Sequence, residues 1–244
     1  MLCGIRRIGL LMIAIVSDIH GNYIALQQVL KTIDKLGIKV ICCLGDLVGY
    51  YPQINEVCGE LQRRNALCVM GNHDWYLLAD SFCDRSESVN DTIRHQKEIV
   101  TSDNLEWLKS LPVHREYQDL KMVHGGWVNP LDEYLRQPTK GYFEKVGGRY
   151  FASGHTHLPR VDDFGDKVYC NPGSVGQPRD GDNRAAFATW DGNAFAIHRV
   201  AYDFESVGRL MEQAGFSGYY YERLAVGAKD NGWYTSKNTE HTDG

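Results

Sequence analysis

Five short apolar runs, each ending in a polar cluster with glycine, set the pattern of the first two thirds of the chain. The first run is Ile13-Ala14-Ile15-Val16, and it leads into Ser17-Asp18-Ile19-His20-Gly21. The other four end at Gly45-Asp46, Gly71-Asn72-His73-Asp74, His124-Gly125 and Gly154-His155-Thr156-His157. Short apolar runs bounded in this way predict buried β-strands. We therefore expect strand ends that carry carboxylate, amide and imidazole groups.

Helical periodicity separates the first three of these strands. The predicted order is a helix over 22–37, a strand over 39–44, a helix over 52–64 and a strand over 66–70. A β-α-β-α-β pattern implies parallel strands with helices on the sheet. Asp18, Asp46 and Asn72 should then lie at the carboxyl ends of neighbouring strands, where open α/β sheets bind ligands.

Residues 75–111 break this rhythm, and their pattern predicts two helices, near 89–101 and 103–110. This helical insert could shape a substrate pocket or simply cover the sheet. From residue 112 onward the chain reads as β-structure. The predicted strands are 113–118, 120–124, 149–153, 159–164, 167–170, 185–190 and 194–200, and the predicted helices that follow are 203–214 and 219–226.

Length and composition limit the organisation of the chain. A chain of 244 residues with 43% apolar content suits one large domain. We expect an N-terminal extension over 1–11, a single domain over 12–228 and a disordered, apolar-poor tail over 229–244. No run reaches the roughly 18 apolar residues that a membrane span needs.

Charge and cysteine content limit the function. The net charge of -5 and the pI near 6.0 argue against binding nucleic acid through a broad basic surface, and a bound cation would still admit a small anionic substrate. The seven cysteines form no Cys-x-x-Cys motif, so we interpret them as reduced core residues of a cytoplasmic protein. The oligomeric state stays open.

The polar clusters contain five of the nine histidines in the chain. If the backbone is extended, Asp18 points the same way as His20, and His155 the same way as His157. Two neighbouring cations need a ligand that bridges them, and the Asp46 carboxylate can do this. Asp18, His20 and one later histidine would complete one site, and Asn72, His124 and another later histidine would complete the second.

Together these clusters resemble, in order, the five motif blocks of the calcineurin-like metallophosphoesterase superfamily. The resemblance spans residues 16–157, and the segment Asn171-Pro172-Gly173-Ser174-Val175-Gly176-Gln177-Pro178-Arg179 is similar to the compact bacterial and archaeal phosphodiesterase branch. That resemblance implies an α/β (α+β) fold, a four-layer αββα sandwich of two packed β-sheets with flanking helices.

The resemblance also implies two divalent transition-metal ions, with manganese expected before iron, zinc, nickel or cobalt. The first ion would be bound by Asp18, His20, Asp46 and His157, and the second by Asp46, Asn72, His124 and His155. A hydroxide bridging the metals would attack the phosphorus of a small phosphodiester or phosphomonoester.

His73 is not a ligand in this scheme. It would contact a phosphoryl oxygen or protonate the leaving alkoxide, with Asp74 orienting or charging the imidazole. Alternatively, it only holds Asn72. In extended backbone His73 would point away from the ligands, so it would need a turn after the strand to reach a substrate.

Two features depart from the family pattern. Phosphoprotein phosphatases and symmetrical dinucleoside tetraphosphatases carry an arginine shortly after Gly-Asp, and residues 47–52 contain none. Arg179 or Arg184 could replace it, or both are ordinary surface residues. Relatives often have Ser-Pro after the His-Gly block, and this chain has Gly126-Trp127 there. Trp127, Tyr50 and Tyr51 could stack on an aryl group or nucleobase of the substrate, or only pack internally.

The rival functions are a dinucleoside polyphosphate hydrolase, a phosphoprotein phosphatase and, from another class, a non-catalytic interaction scaffold. A eukaryotic retromer subunit shares the expected fold as such a scaffold, with a degraded site. The complete set of seven ligand residues and His73 favours an enzyme.

Overall fold

The computed structural model describes residues 12–79 and 81–228. Its strands are β1 (Ile13–Val16), β2 (Val40–Cys43), β3 (Leu67–Cys68), β4 (His114–Tyr117), β5 (Leu120–Val123), β6 (Tyr150–Ala152), β7 (Arg160–Asp163), β8 (Val168–Asn171), β9 (Ala185–Trp190) and β10 (Phe195–Val200). Its helices are α1 (Tyr23–Lys35), α2 (Ile54–Arg63), α3 (Asn72–Leu78), α4 (Glu87–Ile99), α5 (Ser102–Lys109), α6 (Lys140–Glu144) and α7 (Phe204–Gln213), and two 3₁₀ segments follow at Gly218–Tyr220 and Glu222–Val226.

The strands form two mixed sheets. The first has the order β10-β9-β1-β2-β3, in which β1, β2 and β3 are parallel and the β9–β10 hairpin is antiparallel to them. The second has the order β4-β5-β6-β8-β7, with β5, β6 and β8 parallel and antiparallel strands at both edges. The parallel strands of each sheet therefore share one carboxyl edge.

Alternate residues of the buried strands face different layers. Ile15 of β1 lies in an apolar cluster with Met122 of β5, which fills the space between the two sheets. The next residue, Val16, belongs to a cluster with Leu26 of α1 on the outer face of the first sheet. Phe143 of α6 packs on the outer face of the second sheet. This arrangement confirms the predicted four-layer αββα sandwich.

The structure also corrects the predicted secondary structure. The helical insert holds α4 and α5, as expected, but α3 and α6 were not predicted from the sequence. Helix α3 begins at Asn72, so His73 is not in extended backbone, and the helix provides the turn after the strand that His73 needs to reach a substrate. Its seven residues carry no clear apolar periodicity, and Asp74 caps its start by accepting a hydrogen bond from the Gly71 amide at 2.9 Å.

Two predicted regions, the extension over 1–11 and the tail over 229–244, lie outside the described residues. Within residues 12–79 and 81–228, none of the helices has the length and apolar character required to cross a bilayer.

Candidate metal centre

The seven side chains predicted as metal ligands meet at the carboxyl ends of parallel strands from both sheets. They are Asp18 and His20 after β1, Asp46 after β2, Asn72 at the start of α3, His124 after β5, and His155 and His157 after β6. All seven are buried. The chain therefore concentrates oxygen and nitrogen donors in one place where water has little access.

One half of the centre surrounds His20. Its Nε2 atom lies 3.1 Å from Nε2 of His157 and 3.6 Å from Oδ2 of Asp46. Oδ1 of Asp18 lies 3.2 Å from Nε2 of His157. Asp18, His20 and His157 can therefore offer their ligand atoms to one cation.

The other half surrounds His124. Its Nε2 atom lies 3.0 Å from Oδ1 of Asn72, 3.2 Å from Nδ1 of His155 and 3.3 Å from Oδ2 of Asp46. The same Asp46 oxygen thus approaches both His20 and His124. It occupies the position that a ligand shared by two cations requires.

The backbone that presents these groups is left-handed, not extended. The φ angles are 53° at Asp18, 54° at His20, 53° at Asp46, 64° at His155 and 61° at His157. Residues with a Cβ adopt this conformation rarely, and strained positions of this kind cluster at functional sites. The condition of extended backbone, under which each pair would point the same way, is therefore not met, because the chain turns sharply after each strand.

Hydrogen bonds to backbone carbonyls fix the tautomers of three histidines. The Nδ1 atoms lie 2.9 Å from the Val48 oxygen for His20, 2.8 Å from the Leu44 oxygen for His124 and 2.6 Å from the Gln177 oxygen for His157. A carbonyl oxygen only accepts, so each Nδ1 donates its proton. The Nε2 lone pairs are thereby directed into the centre.

This arrangement fits cations. With Nδ1 protonated, the Nε2 atoms of His20 and His157 face each other as two acceptors only 3.1 Å apart. Oδ1 of Asp18 is buried without a hydrogen-bond partner among the described residues, whereas its Oδ2 accepts from the His155 amide at 3.0 Å. Clustered acceptors without donors are costly unless a positive charge lies between them. Mixed imidazole and oxygen ligation suits divalent transition metals.

Burial controls the charge of the imidazoles. It lowers the pKa of His155 to about 4 and holds the pKa of His20 well below its ordinary value, so both are neutral at pH 7. Burial also opposes charge on His124, but the nearby Asp46 carboxylate outweighs it and raises the pKa of His124 to about 10. His20 and His155 can thus bind a metal as neutral imidazoles. On His124, a bound cation would displace the Nε2 proton that Asp46 favours in its absence.

Asp74 supports the loop that carries Asp46. Its two oxygens accept hydrogen bonds from four backbone amides, those of Asp46 at 3.0 Å, Leu47 at 2.9 Å, Val48 at 3.1 Å and Gly71 at 2.9 Å. Asp74 was predicted to orient or charge the His73 imidazole, but both of its oxygens are instead bonded to backbone amides. Gly71 allows this close packing, because a Cβ there would lie 2.1 Å from Oδ1 of Asp46.

His73 lies beside the ligands in the first turn of α3. Its Nε2 atom is 3.9 Å from Oδ2 of Asp46, and its ring centroid is 4.7 Å from that of His20. Its Nδ1 atom has no hydrogen-bond partner in the described part of the chain. Gly49 makes room for it, since a Cβ at Gly49 would lie 2.2 Å from Nδ1. Burial lowers the pKa of His73 to about 4.

Four of the five predicted substrate contacts separate into two pairs, and the fifth, Tyr51, is buried. The Tyr50 ring lies 4.7 Å from the His20 ring, and the Tyr50 hydroxyl accepts a hydrogen bond from Nη2 of Arg179 at 3.0 Å. Trp127 instead packs in an aromatic cluster, 5.3 Å from Phe151. Arg184 is half exposed and forms an ion pair with Asp182. Only Tyr50 and Arg179 border the centre through these contacts.

Three residues near His155 were missed by sequence reasoning. Oδ1 of Asp132 lies 3.3 Å from Nε2 of His155, and the Tyr134 ring centroid lies 3.9 Å from that of His155. Arg85, from the helical insert, donates a hydrogen bond to Asp132. The segment around Asp132 has neither an apolar run nor a glycine that could have marked it.

The helical insert also touches the loop after β2. The Gln96 side chain of α4 accepts from the Gly49 amide at 2.7 Å and donates to the Tyr51 carbonyl at 2.7 Å. The insert therefore supports the centre directly, in addition to covering the sheet.

Comparisons with known proteins identify a family and similar proteins that match most of the chain. A sequence model of the calcineurin-like phosphoesterase superfamily domain matches residues 11–193. An uncharacterized protein of Methanocaldococcus jannaschii is 34% identical over 239 residues, which cover 88% of this chain and 98% of that protein. The crystal structure of a metallophosphoesterase from Sphaerobacter thermophilus has a TM-score of 0.79 at 30% identity, and the match covers 89% of this chain and 99% of that chain.

A shorter similarity involves enzymes with a named substrate. The symmetrical bis(5'-nucleosyl)-tetraphosphatase of Paracidovorax citrulli is 36% identical over 119 residues. The match covers 46% of this chain and 42% of that enzyme, so it spans less than half of either protein.

Proposed function

Because the chain belongs to the calcineurin-like phosphoesterase superfamily, we propose that it hydrolyses small phosphodiesters or phosphomonoesters with two divalent metal ions held around Asp46. Membership of this superfamily makes the chain a hydrolase of the phosphoesterase class. The number of metals, their identity and the substrate are the parts that we propose.

One observation carries the proposal: Oδ2 of Asp46 lies 3.6 Å from Nε2 of His20 and 3.3 Å from Nε2 of His124, with further buried donors on both sides. In our assignment, the first ion is held by Asp18, His20, Asp46 and His157. The second is held by Asp46, Asn72, His124 and His155. Manganese is our first choice, because the family resemblance implies it, and the mixed imidazole and oxygen donors are also compatible with iron, zinc, nickel or cobalt.

When bound, such a metal pair supplies Lewis acidity toward phosphoryl oxygens and lowers the pKa of water. The chain's own residues position and shield the reaction. His73 lies beside Asp46, and burial keeps its imidazole neutral at pH 7. A neutral imidazole can donate one hydrogen bond to a phosphoryl oxygen. A neutral His73 is therefore better suited to contacting the substrate than to protonating the leaving group.

Arg179 can take the place of the arginine that residues 47–52 lack. Its guanidinium bonds the Tyr50 hydroxyl, and Tyr50 in turn packs against His20 and His73. A guanidinium at this border can contact phosphoryl oxygens that face away from the metals. Arg184 has no comparable position.

A metal-supplemented screen tests the proposed activity. The substrates are bis-p-nitrophenyl phosphate, p-nitrophenyl phosphate, cyclic nucleotides and diadenosine tetraphosphate, each assayed with manganese and with a chelator. We expect hydrolysis that the chelator abolishes and that Asp46→Asn lowers by more than the roughly 10- to 100-fold typical of changes outside the ligand set. Asp163→Asn, a change on β7, is the matched control. Turnover that survives both the chelator and Asp46→Asn would overturn the proposal.

A second candidate is a dinucleoside polyphosphate hydrolase. The similarity to symmetrical tetraphosphatases favours it, while the absent arginine after Asp46 counts against a standard member. Cleavage of diadenosine tetraphosphate at least as efficient as that of the p-nitrophenyl esters would select this candidate.

We also propose a cytoplasmic location. The six cysteines within the described residues are buried and unpaired, as expected for a reducing compartment.

A further inference from the structure

A solvent-open cleft borders the metal centre, between the start of α4 and the 3₁₀ segments after α7. Tyr50 belongs to both the cleft and the metal centre, because its ring lines the cleft and lies 4.7 Å from the ring of His20. Gln177 is the second shared residue. Its carbonyl accepts the hydrogen bond from Nδ1 of His157, while the residue also lines the cleft. A molecule bound at the centre could therefore extend into the cleft.

Aromatic rings dominate one wall of the cleft. Tyr51, Tyr219 and Tyr220 line it together with Tyr50. Tyr219 is 60% exposed, and its ring stands nearly perpendicular to that of Tyr220 at 5.4 Å. The guanidinium carbon of Arg223 lies 5.3 Å from the Tyr219 centroid. An exposed ring beside a guanidinium is a surface on which planar aromatic groups stack.

This wall is held in place by contacts outside the cleft. The Tyr220 hydroxyl donates to Oδ2 of Asp91 in α4 at 2.6 Å. Leu224 is buried in an apolar cluster with Tyr51 and Met211. The stacking surface is thus fixed both to the helical insert and to the body of the fold, which limits the entropy lost when a ligand binds.

Small polar side chains also line the cleft. Ser86 and Ser88, at the start of α4, line it with their hydroxyl oxygens 2.9 Å apart. Short side chains leave space for a flat ring, and hydroxyls can bond heteroatoms at a ring edge.

We infer that this cleft is a subsite for a planar aromatic group of the substrate, either a nucleobase or an aryl ring. The phosphoryl group would lie at the metal centre, and the aromatic group would reach the cleft past Tyr50. The inference deepens the proposed function and rests on it for the position of the phosphoryl group. It gives the 3₁₀ segments after α7 a role in substrate selection.

Calorimetric titration with non-hydrolysable phosphonates tests the subsite without turnover. The probes are methylphosphonate, phenylphosphonate and the methylene phosphonate isostere of adenosine 5'-monophosphate, added to manganese-loaded protein. We expect at least one aromatic probe to bind more tightly than methylphosphonate. Tyr219→Ala should reduce that preference by about five- to hundredfold, the range for loss of one stacking ring. Tighter binding of phenylphosphonate would identify an aryl group as the ligand of the cleft, and tighter binding of the adenosine probe would identify a nucleobase.

Two further variants sharpen the test. Tyr219→Phe keeps the ring and should retain the aromatic preference, whereas Ser88→Trp should fill the cleft from α4 and remove the preference. Equal binding of all three probes, or a preference that survives both Tyr219→Ala and Ser88→Trp, would overturn the subsite. Aromatic preference in a protein that hydrolyses no ester would leave the subsite standing and reject the proposed function instead.

Discussion

His73 and Asp74 are adjacent in the chain, yet the structure gives them different surroundings. The Asp74 carboxylate faces backbone amides of the loop after β2 and of Gly71, whereas the His73 imidazole faces Asp46, His20 and Tyr50. Asp74 therefore stabilises the fold, whereas the neighbouring His73 can contact a substrate. The two residues should therefore respond to substitution in different ways.

His73→Ala should lower kcat by roughly 10²-fold, the usual loss when one donor to a developing oxyanion is removed. Because burial lowers the pKa of His73 to about 4, the imidazole is neutral at pH 7, and the loss should be similar for all leaving groups. The measurement is kcat across esters of graded leaving-group pKa, with the exposed His114→Ala as control. A loss that grows with leaving-group pKa would instead identify His73 as a general acid.

Asp74→Ala should destabilise the fold by about 3 kcal/mol or more, because it removes the acceptor of four backbone amides. Urea denaturation in the presence of a chelator measures this without the contribution of metal binding. The exposed Asp103→Ala should change stability by no more than about 0.5 kcal/mol. Similar stabilities for the two variants would contradict the structural role of Asp74.

At the level of elements, strands and their ends could be predicted because their signals are local. An apolar run such as Ile13–Val16 and the Asp18 and His20 that follow lie within a few residues of each other. Helix α3 was missed because its seven residues show no clear apolar periodicity. Its Asp74 side chain bonds to the loop after β2, a contact that the local sequence does not indicate. The five-residue α6 is too short to show any period.

The contacts between elements could not be predicted. Asp132 lies in an irregular segment, and its partners Arg85 and His155 are far away in sequence, so no local pattern joins the three. The left-handed conformations at Asp18 and His155 could not be predicted from the sequence either, since aspartate and histidine adopt them only where the surrounding fold requires it.

Asp132→Asn should weaken metal affinity by roughly 10- to 100-fold, because the Asp132 carboxylate lies 3.3 Å from Nε2 of His155, a predicted metal ligand, and would orient its ring. Titration of metal-free protein with manganese measures the affinity. Asp162→Asn is the matched control, since Asp162 pairs with Arg160 on β7. Equal affinities for wild type and Asp132→Asn would show that His155 needs no such support.

At the scale of the whole molecule, the centre joins the two sheets. Asp18, His20 and Asp46 follow strands of the first sheet, and His124 and His155 follow strands of the second. The face-to-face packing of the sheets brings these carboxyl edges together. Asp46 lies where the two halves meet, and the proposed function requires that it binds both ions.

The metal content of the reconstituted protein tests that position most directly. Metal-free protein is loaded with excess manganese, separated from unbound metal and examined by elemental analysis. We expect two ions per wild-type chain, and we expect Asp46→Asn to lose more metal than Asp18→Asn, because only Asp46 would touch both ions. One ion or none in the wild-type protein, or equal losses in the two variants, would contradict the bridged pair.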